Sequence, residues 1–332
     1  MTLKHSLPRS ASFASAALVA LLIAPSAQAG SLSGAAQDYN LFLFDDWTQH
    51  GGDVEGRVAV GGNATLTGGV GIADRVASSN GSDDHFVVGG NLSYSGGGQV
   101  FGGNTVVGGT SSSVNYNCGG CSTQSGTPID FASAEEYYQV LSDQLFALGE
   151  TGTSTVTNDP WYPRLNMQGS GTGTHVFNVS LTNMKEIFLD ASSASDLIVI
   201  NVEDEIVDGG ITLFKHIEAH ADSNVWSNVV WNFNKATNID LSNIQWRGTI
   251  LAPDAHITLK QGNIEGQTVA KSATLANGNG EFHNYEFTGT LPTPPQPADP
   301  TPTEVPEPSL LLGMGAVAGA IRLSRRRQLQ AA

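Results

Sequence analysis

VAVGGNATLTGG at residues 58–69, FVVGGNLSYSGG at 86–97 and QVFGGNTVVGGT at 99–110 repeat one pattern: an apolar triplet, Gly-Gly-Asn, then a later Gly-Gly. Each triplet reads as a short strand, and Gly or Asn tolerates the left-handed backbone of a tight corner. Further along, GTILAPDAHITL begins at Gly248 and GQTVAKSATL at Gly266, eighteen residues later. DVEGRVAVGGNATL (53–66) also aligns with NIEGQTVAKSATL (263–275) through one gap. Short β runs that return every 18 to 28 residues or so predict stacked coils, a mainly β, β-helix-like solenoid. A β-sandwich with glycine-rich hairpins is the alternative, but it need not return the same triplet at each strand.

One segment breaks the pattern. In DFASAEEYYQVLSDQLFALG, residues Phe131, Ala134, Tyr138, Leu141, Leu145 and Leu148 fall at steps of three and four on one helical face. The spacing predicts a single long α-helix over 131–148 laid against the solenoid. Ser133 and Glu136 fit a capping box, and Gly149 fits a C-terminal cap.

Both ends of the chain carry targeting features. Lys4 and Arg9 precede an apolar stretch, and Ala27-Gln28-Ala29 supplies small residues before a cleavage point between Ala29 and Gly30. Residues 1–29 therefore read as a secretory signal peptide. The globular region is expected over 30–290. Residues 291–305 form a Pro-rich linker, and eight of the 14 prolines fall within 291–308. Such a segment extends at ~3.1 Å per residue as a semi-rigid stalk.

Residues 306–327 combine Pro306-Glu307-Pro308, an apolar run of twelve residues from Leu310 to Ile321, and the cluster Arg322, Arg325, Arg326 and Arg327. As a helix the run spans ~18 Å against a hydrocarbon core of ~30 Å, too thin for a permanent anchor. The arginines hold its end on the cytoplasmic side. In its three-part order this segment resembles the PEP-CTERM sorting signal. The resemblance implies an exosortase-type processing enzyme as partner, transient inner-membrane association, and release to the envelope, surface or extracellular matrix of a bacterium. Residues 328–332 form a short tail.

Between the signal peptide and the basic tail, nine basic residues face 30 acidic ones, a balance of about −21. Nucleic acid and anionic membrane surfaces are thereby excluded as partners, because phosphate binding needs the opposite sign.

YNLFLFDDW (39–47), DVEGRVAVGGN (53–63), VVGGN (87–91), VVWNFNKAT (229–237), GTILAPDAHITL (248–259), NIEGQTVA (263–270) and GEFHNYEFTGTLP (280–292) resemble, in this order, the choice-of-anchor A family. That resemblance implies an exported, adhesive domain and brings no catalytic residues. The helix followed by WNFNKAT and GTILAPDAHITL is also similar to the ice-binding solenoid family, which implies a helix packed along a triangular solenoid.

The sequence contains no Gly-x-Ser-x-Gly and no Gly-Lys phosphate loop, and GSGTGT (169–174) lacks the third glycine of a dinucleotide turn. His216, Glu218 and His220 share one face of a strand, but three alternate positions extend over ~13 Å, too far for one ion. GGVGIAD (68–74) nearly matches the start of a calcium-binding nonapeptide but occurs once, a slender basis for calcium. SDDHF (82–86) reads as a solvated acidic loop. Cys118 and Cys121, in NCGGCST, are the two cysteines, and in an exported protein they are expected to pair as a loop staple.

No cofactor is expected and no catalytic residue is assigned. The leading expectation is a non-enzymatic structural or adhesive surface module. The alternatives are a solenoid that binds polysaccharide, such as exopolysaccharide, or ice, and a hydrolase with a dispersed site. Ice binding favours aligned Thr-x-Thr rows, and the sequence offers Thr65-x-Thr67 with scattered Thr105 and Thr258. Trp226, Trp231 and Trp246 are read as core, with sugar stacking as the other use of such side chains.

Overall fold

Val58–Val60 lies between Leu41–Leu43 and residues 86–88, all parallel, in the register Leu41↔Val58↔Phe86. The computed structural model describes residues 32–157, 159–190, 196–211, 213–216 and 223–294. The signal peptide and the expected sorting segment lie outside these residues. The ladder through Val58 extends both ways. In spatial order it runs Thr174–Val179, Leu197–Val202, Val229–Asn232, 249–251, 268–270, Leu41–Leu43, Val58–Val60, 86–88, 105–107 and Thr123–Ser125.

Two more parallel ladders complete a β-solenoid. The second runs Ile206–Val207, Asn238–Asp240, 256–259, 272–275, Trp47–His50, Ala64–Thr67 and Leu92–Tyr94. The third runs Ile244–Arg247, 262–265, 279–283, Asp53–Val54, Gly71–Ile72 and Gln99–Val100. Beside Ile244–Arg247 a separate four-stranded sheet extends this side with Leu213–His216, Glu186–Asp190 and Arg164–Gln168, and the antiparallel strand Thr153–Val156 ends it. Alternation sends Leu41, Val58 and Phe86 inward from the first side, Trp47, Ala64 and Leu66 from the second, and Val54, Ile72 and Phe282 from the third.

The path is not a simple spiral. The chain begins in the middle at Leu41 and coils outward to Ser125. Helix Phe131–Phe146 then runs back along the first side, and the coils resume beyond it. The last coil returns to the first: Leu41 pairs with Thr268, Trp47 with Ala273, and Val54 with Phe282.

The helix buries Ala134, Tyr138, Leu141 and Leu145 on the outward residues Phe42, Ala59, Val87, Val199, Val230 and Leu251. Each of its large apolar side chains contributes about 1.5–3 kcal/mol when fully covered. Its cap differs from the expected one. Asp130 is the N-cap and accepts from the Ser133 N–H, so Ser133 lies inside the first turn. Ala147, in right-handed geometry, is the C-cap in place of Gly149. Polar anchors fix the register, for Asn201 Nδ2 donates to Leu145 O at 2.9 Å and Asn232 Nδ2 to Ser142 O at 2.9 Å.

Gly-Gly-Asn has a stacking function. Gly61, Gly89 and Gly108 form one column, and a Cβ on Gly89 would run into the carbonyl oxygen of Gly61. The following residues build a ladder. Asp46 Oδ1 accepts from Asn63 N at 2.7 Å, Asn63 Oδ1 from Asn91 N at 3.0 Å, and Asn91 Oδ1 from Thr110 N at 2.8 Å. The third copy is therefore out of register with its sequence alignment. Val106-Val107-Gly108-Gly109-Thr110 occupies the corner of the other two repeats, and Gln99–Val100 lies on the third side. Gly102-Gly103-Asn104 forms a different corner, where Asn104 Nδ2 donates to Gly81 O.

Three further expectations change. Asp84 to Phe86 belong to a strand, and His85 is fully buried with Nδ1 2.7 Å from Phe101 O, so SDDHF is a loop only at its start. Leu291, expected in the stalk, is buried in the core cluster under the helix. The third is the extent of the helix, which ends at Phe146.

Candidate functional site

The second side of the solenoid presents one face of a parallel sheet outward. Its central positions form a row in strict register: Asp240, Thr258, Thr274, Thr48, Thr65 and Ser93. Inward neighbours hold it in place, with Trp47, Ala64, Leu66, Ile257, Leu259, Ala273 and Leu275 all buried. Thr48, Thr65 and Ser93 are exposed, and Thr258 and Thr274 are half-buried. These hydroxyls make no hydrogen bond to another described residue. Parallel strands set them about 4.8 Å apart.

The ranks on either side of this row are mixed. His50 Nδ1 lies 2.9 Å from Thr67 Oγ1. On the other flank His256 Nδ1 lies 2.7 Å from Ser272 Oγ, and burial depresses the His256 pKa. The Asp46–Asn63–Asn91–Thr110 ladder edges the plane and holds the coil spacing. Chemically, this is a rigid lattice of donors and acceptors over an apolar base.

Sequence reading found Thr65, Thr67 and Thr258 but missed Thr48, Thr274 and Ser93. Each of these appears once per coil, with no local repeat to mark it. Thr105 leaves the candidate row, because it is fully buried on the first side. Trp226, Trp231 and Trp246 are core residues, and the rings of Trp231 and Trp246 lie 4.7 Å apart.

The third side carries acid. Burial raises the Asp53 pKa first, and the neighbouring charges of Glu281, Asp74 and Glu55 add to it. His283 bridges Glu265 at 2.9 Å and Glu281 at 3.1 Å. Among the described residues, no group of three or more His, Cys, Asp or Glu side chains is placed to hold a metal ion. Glu218 and His220 lie outside the described residues, while His216 ends strand Leu213–His216. Cys118 and Cys121 are joined as a disulfide, with Cα atoms 5.6 Å apart. No described helix is long and apolar enough to cross a membrane. Pro306, Glu307 and Pro308 lie outside the described residues, as do Ala29 and Gly30.

Parallel coils that support one row of hydroxyls define the class of the fold, a β-solenoid with a helix along one side. The chain belongs to the family described as "Putative Ice-binding-like adhesive domain", whose profile matches residues 32–284. No curated protein matches the chain. Among solved structures it is similar to the crystal structure of an ice binding protein from an Antarctic Biological Consortium. That likeness has 14% identity and a TM-score of 0.34, over 77% of this chain and 91% of that one.

Proposed function

We propose that this protein is an exported, non-catalytic adhesive module of the cell surface or matrix that grips an ordered polysaccharide through its second side. The observation that carries the reading is the in-register row Thr258–Thr274–Thr48–Thr65. A fixed row of unpaired hydroxyls can meet a chain of sugar hydroxyls without reorganising, which keeps the entropy loss on binding small. Ice is the second reading, favoured by the same spacing. The mixed ranks on either side of the row argue against it, because the histidines at 50 and 256 interrupt a regular Thr-x-Thr lattice.

The Pro-rich stalk and the PEP-CTERM-like tail supply the display and processing parts of the proposal. An exosortase-type enzyme is the processing partner, and exopolysaccharide is the ligand class. The test is retention of the mature protein on extracted surface polysaccharide, beside an ice-recrystallisation assay. The double variant Thr48→Lys/Thr65→Lys should keep its melting temperature and lose polysaccharide retention about tenfold or more. Unchanged retention in the variant would overturn the proposal. Loss of ice activity alone would select the second reading.

A further inference from the structure

The hairpin that ends the third side carries a second feature. Between Thr153–Val156 and Arg164–Gln168, the loop raises Trp161 at 80% exposure and Tyr162 at 62%. Elsewhere among the described residues, large aromatic side chains are buried or half-covered, with Tyr285 next at 39%. A fully packed aromatic is worth about 1.5–3 kcal/mol. This loop forgoes that stabilisation twice.

Hydrogen bonds fix the backbone that carries the exposed pair. Asp159 Oδ1 accepts from Trp161 N at 2.9 Å and from Tyr162 N at 3.0 Å. These two bonds hold the Asp159 carboxyl below its usual range, so it stays ionised. Pro160 and Pro163 restrict the backbone on either side. Pro163 O accepts from Lys185 N at 2.9 Å, which ties the loop to the next coil. At the loop's end, Arg164 Nε donates to Glu186 Oε2 at 2.7 Å while its guanidinium lies 4.1 Å from the Phe188 ring centre.

We infer that Trp161 and Tyr162 form a sugar-stacking tip, a second glycan contact that is separate from the hydroxyl plane. Area decides against a protein partner. Two aromatic side chains cover about 300–500 Å², below the ~800 Å² per partner of a stable protein interface but ample for one or two pyranose rings. Charge decides against a membrane. The chain carries −16, the loop contributes Asp159, and Arg164 is already engaged by Glu186. Asp159 Oδ2 makes no hydrogen bond to a described residue, so it can accept from a sugar hydroxyl while the rings stack. An aromatic face beside an ionised carboxylate suits a neutral or amine-bearing polysaccharide.

The tip also sits away from the exit of the stalk. The described chain ends near the helix N-terminus, where Thr293 and Pro294 lie close to Asp130 and Tyr39. The hairpin caps the solenoid beyond the C-terminal end of the helix. About six coil steps of ~4.8 Å separate the first coil from strand Arg164–Gln168 of the hairpin, so the tip lies ~29 Å away along the axis.

The experiment is co-sedimentation of the mature chain with amorphous cellulose and with chitin, beside neutral phosphatidylcholine vesicles. Wild type should bind at least one polysaccharide. Trp161→Ala/Tyr162→Ala should weaken that binding about tenfold or more at an unchanged melting temperature. Thr48→Lys/Thr65→Lys should retain the contribution of the tip, which separates this inference from the proposed role of the plane. Failure of wild type to bind either polysaccharide overturns the inference. So does binding that is indifferent to the tip variant, or tip-dependent binding to vesicles alone.

Discussion

Thr48 and Thr274 stand side by side on adjacent parallel strands, one from the first coil of the domain and the other from the last. The hydroxyl row therefore exists only after the two ends of the folded region have met. Phe282, fully buried beside Val54 and Ile264, is part of the same seam. Phe282→Ala should destabilise the domain by about 3–5 kcal/mol. In urea unfolding the midpoint should fall while the slope stays constant. A loss below about 1 kcal/mol would show that the seam adds little to stability.

The glycine column gives a sharper contrast. Gly89→Ala places a Cβ against the Gly61 carbonyl, which is backbone and cannot swing aside. We expect a loss of about 3 kcal/mol or more, or failure to fold. Gly119→Ala meets open space at ordinary backbone angles and should change stability by less than about 0.5 kcal/mol. Equal thermal shifts for the two variants would refute the stacking explanation.

His283 gives the domain an alkaline limit. The hydrogen bond to Glu265 raises the imidazole from its ordinary 6.5 to about 9, against the opposing effect of burial. Because the folded value exceeds the unfolded one, the stabilisation is full below pH 6.5 and disappears as pH rises through 9. Burial pushes Glu265 up, but the hydrogen bonds of His283 and Gln245 with the charges of His283 and Arg247 more than reverse this, so the acid limb is lost as pH falls below 4.5. His283→Gln should flatten the fall in melting temperature between pH 6.5 and 9. A slope identical to wild type would assign the alkaline loss to other groups.

Cys118 and Cys121 close a very short loop. By chain entropy this staple contributes at most about 2 kcal/mol. Cys118→Ser should leave the secondary structure unchanged and lower the melting temperature by a few degrees. Unfolding of the whole domain in the variant would contradict a local role.

Processing of the tail is testable in cells. Glu307→Ala should leave export intact and cause protein to accumulate with its C-terminal segment uncut. Intact-mass measurement of released material is the check. If mature protein from outside the cell still contains residues 309–332, the sorting proposal fails.

Several features were legible in the sequence because they depend on near neighbours. The step of three and four from Phe131 to Leu148 marks a helix wherever it packs, and alternating triplets between Gly-Gly corners mark strands. Even so, Asp130 displaced Ser133 as cap, because the helix began one turn earlier than the capping-box pattern implied. Identical letters also misled: Gly102-Gly103-Asn104 matched the corner motif, while its place in the ladder is taken by Gly108-Gly109-Thr110. Register between coils depends on the length of each excursion, and the excursion from Val60 to Phe86 is longer than that from Val88 to Thr105.

Exposure and inter-coil register were decided by tertiary structure alone. Trp231 and Trp161 are the same residue type, yet one is sealed inside the solenoid and the other is 80% exposed. Thr48, Thr65, Thr258 and Thr274 are scattered in the chain and collinear in space. By itself the sequence determined which segments become strands, corners and helix, because those follow from local backbone and side-chain preferences. The site is long-range, because the hydrogen bonds that place Thr48 beside Thr274 form only when the last coil closes on the first.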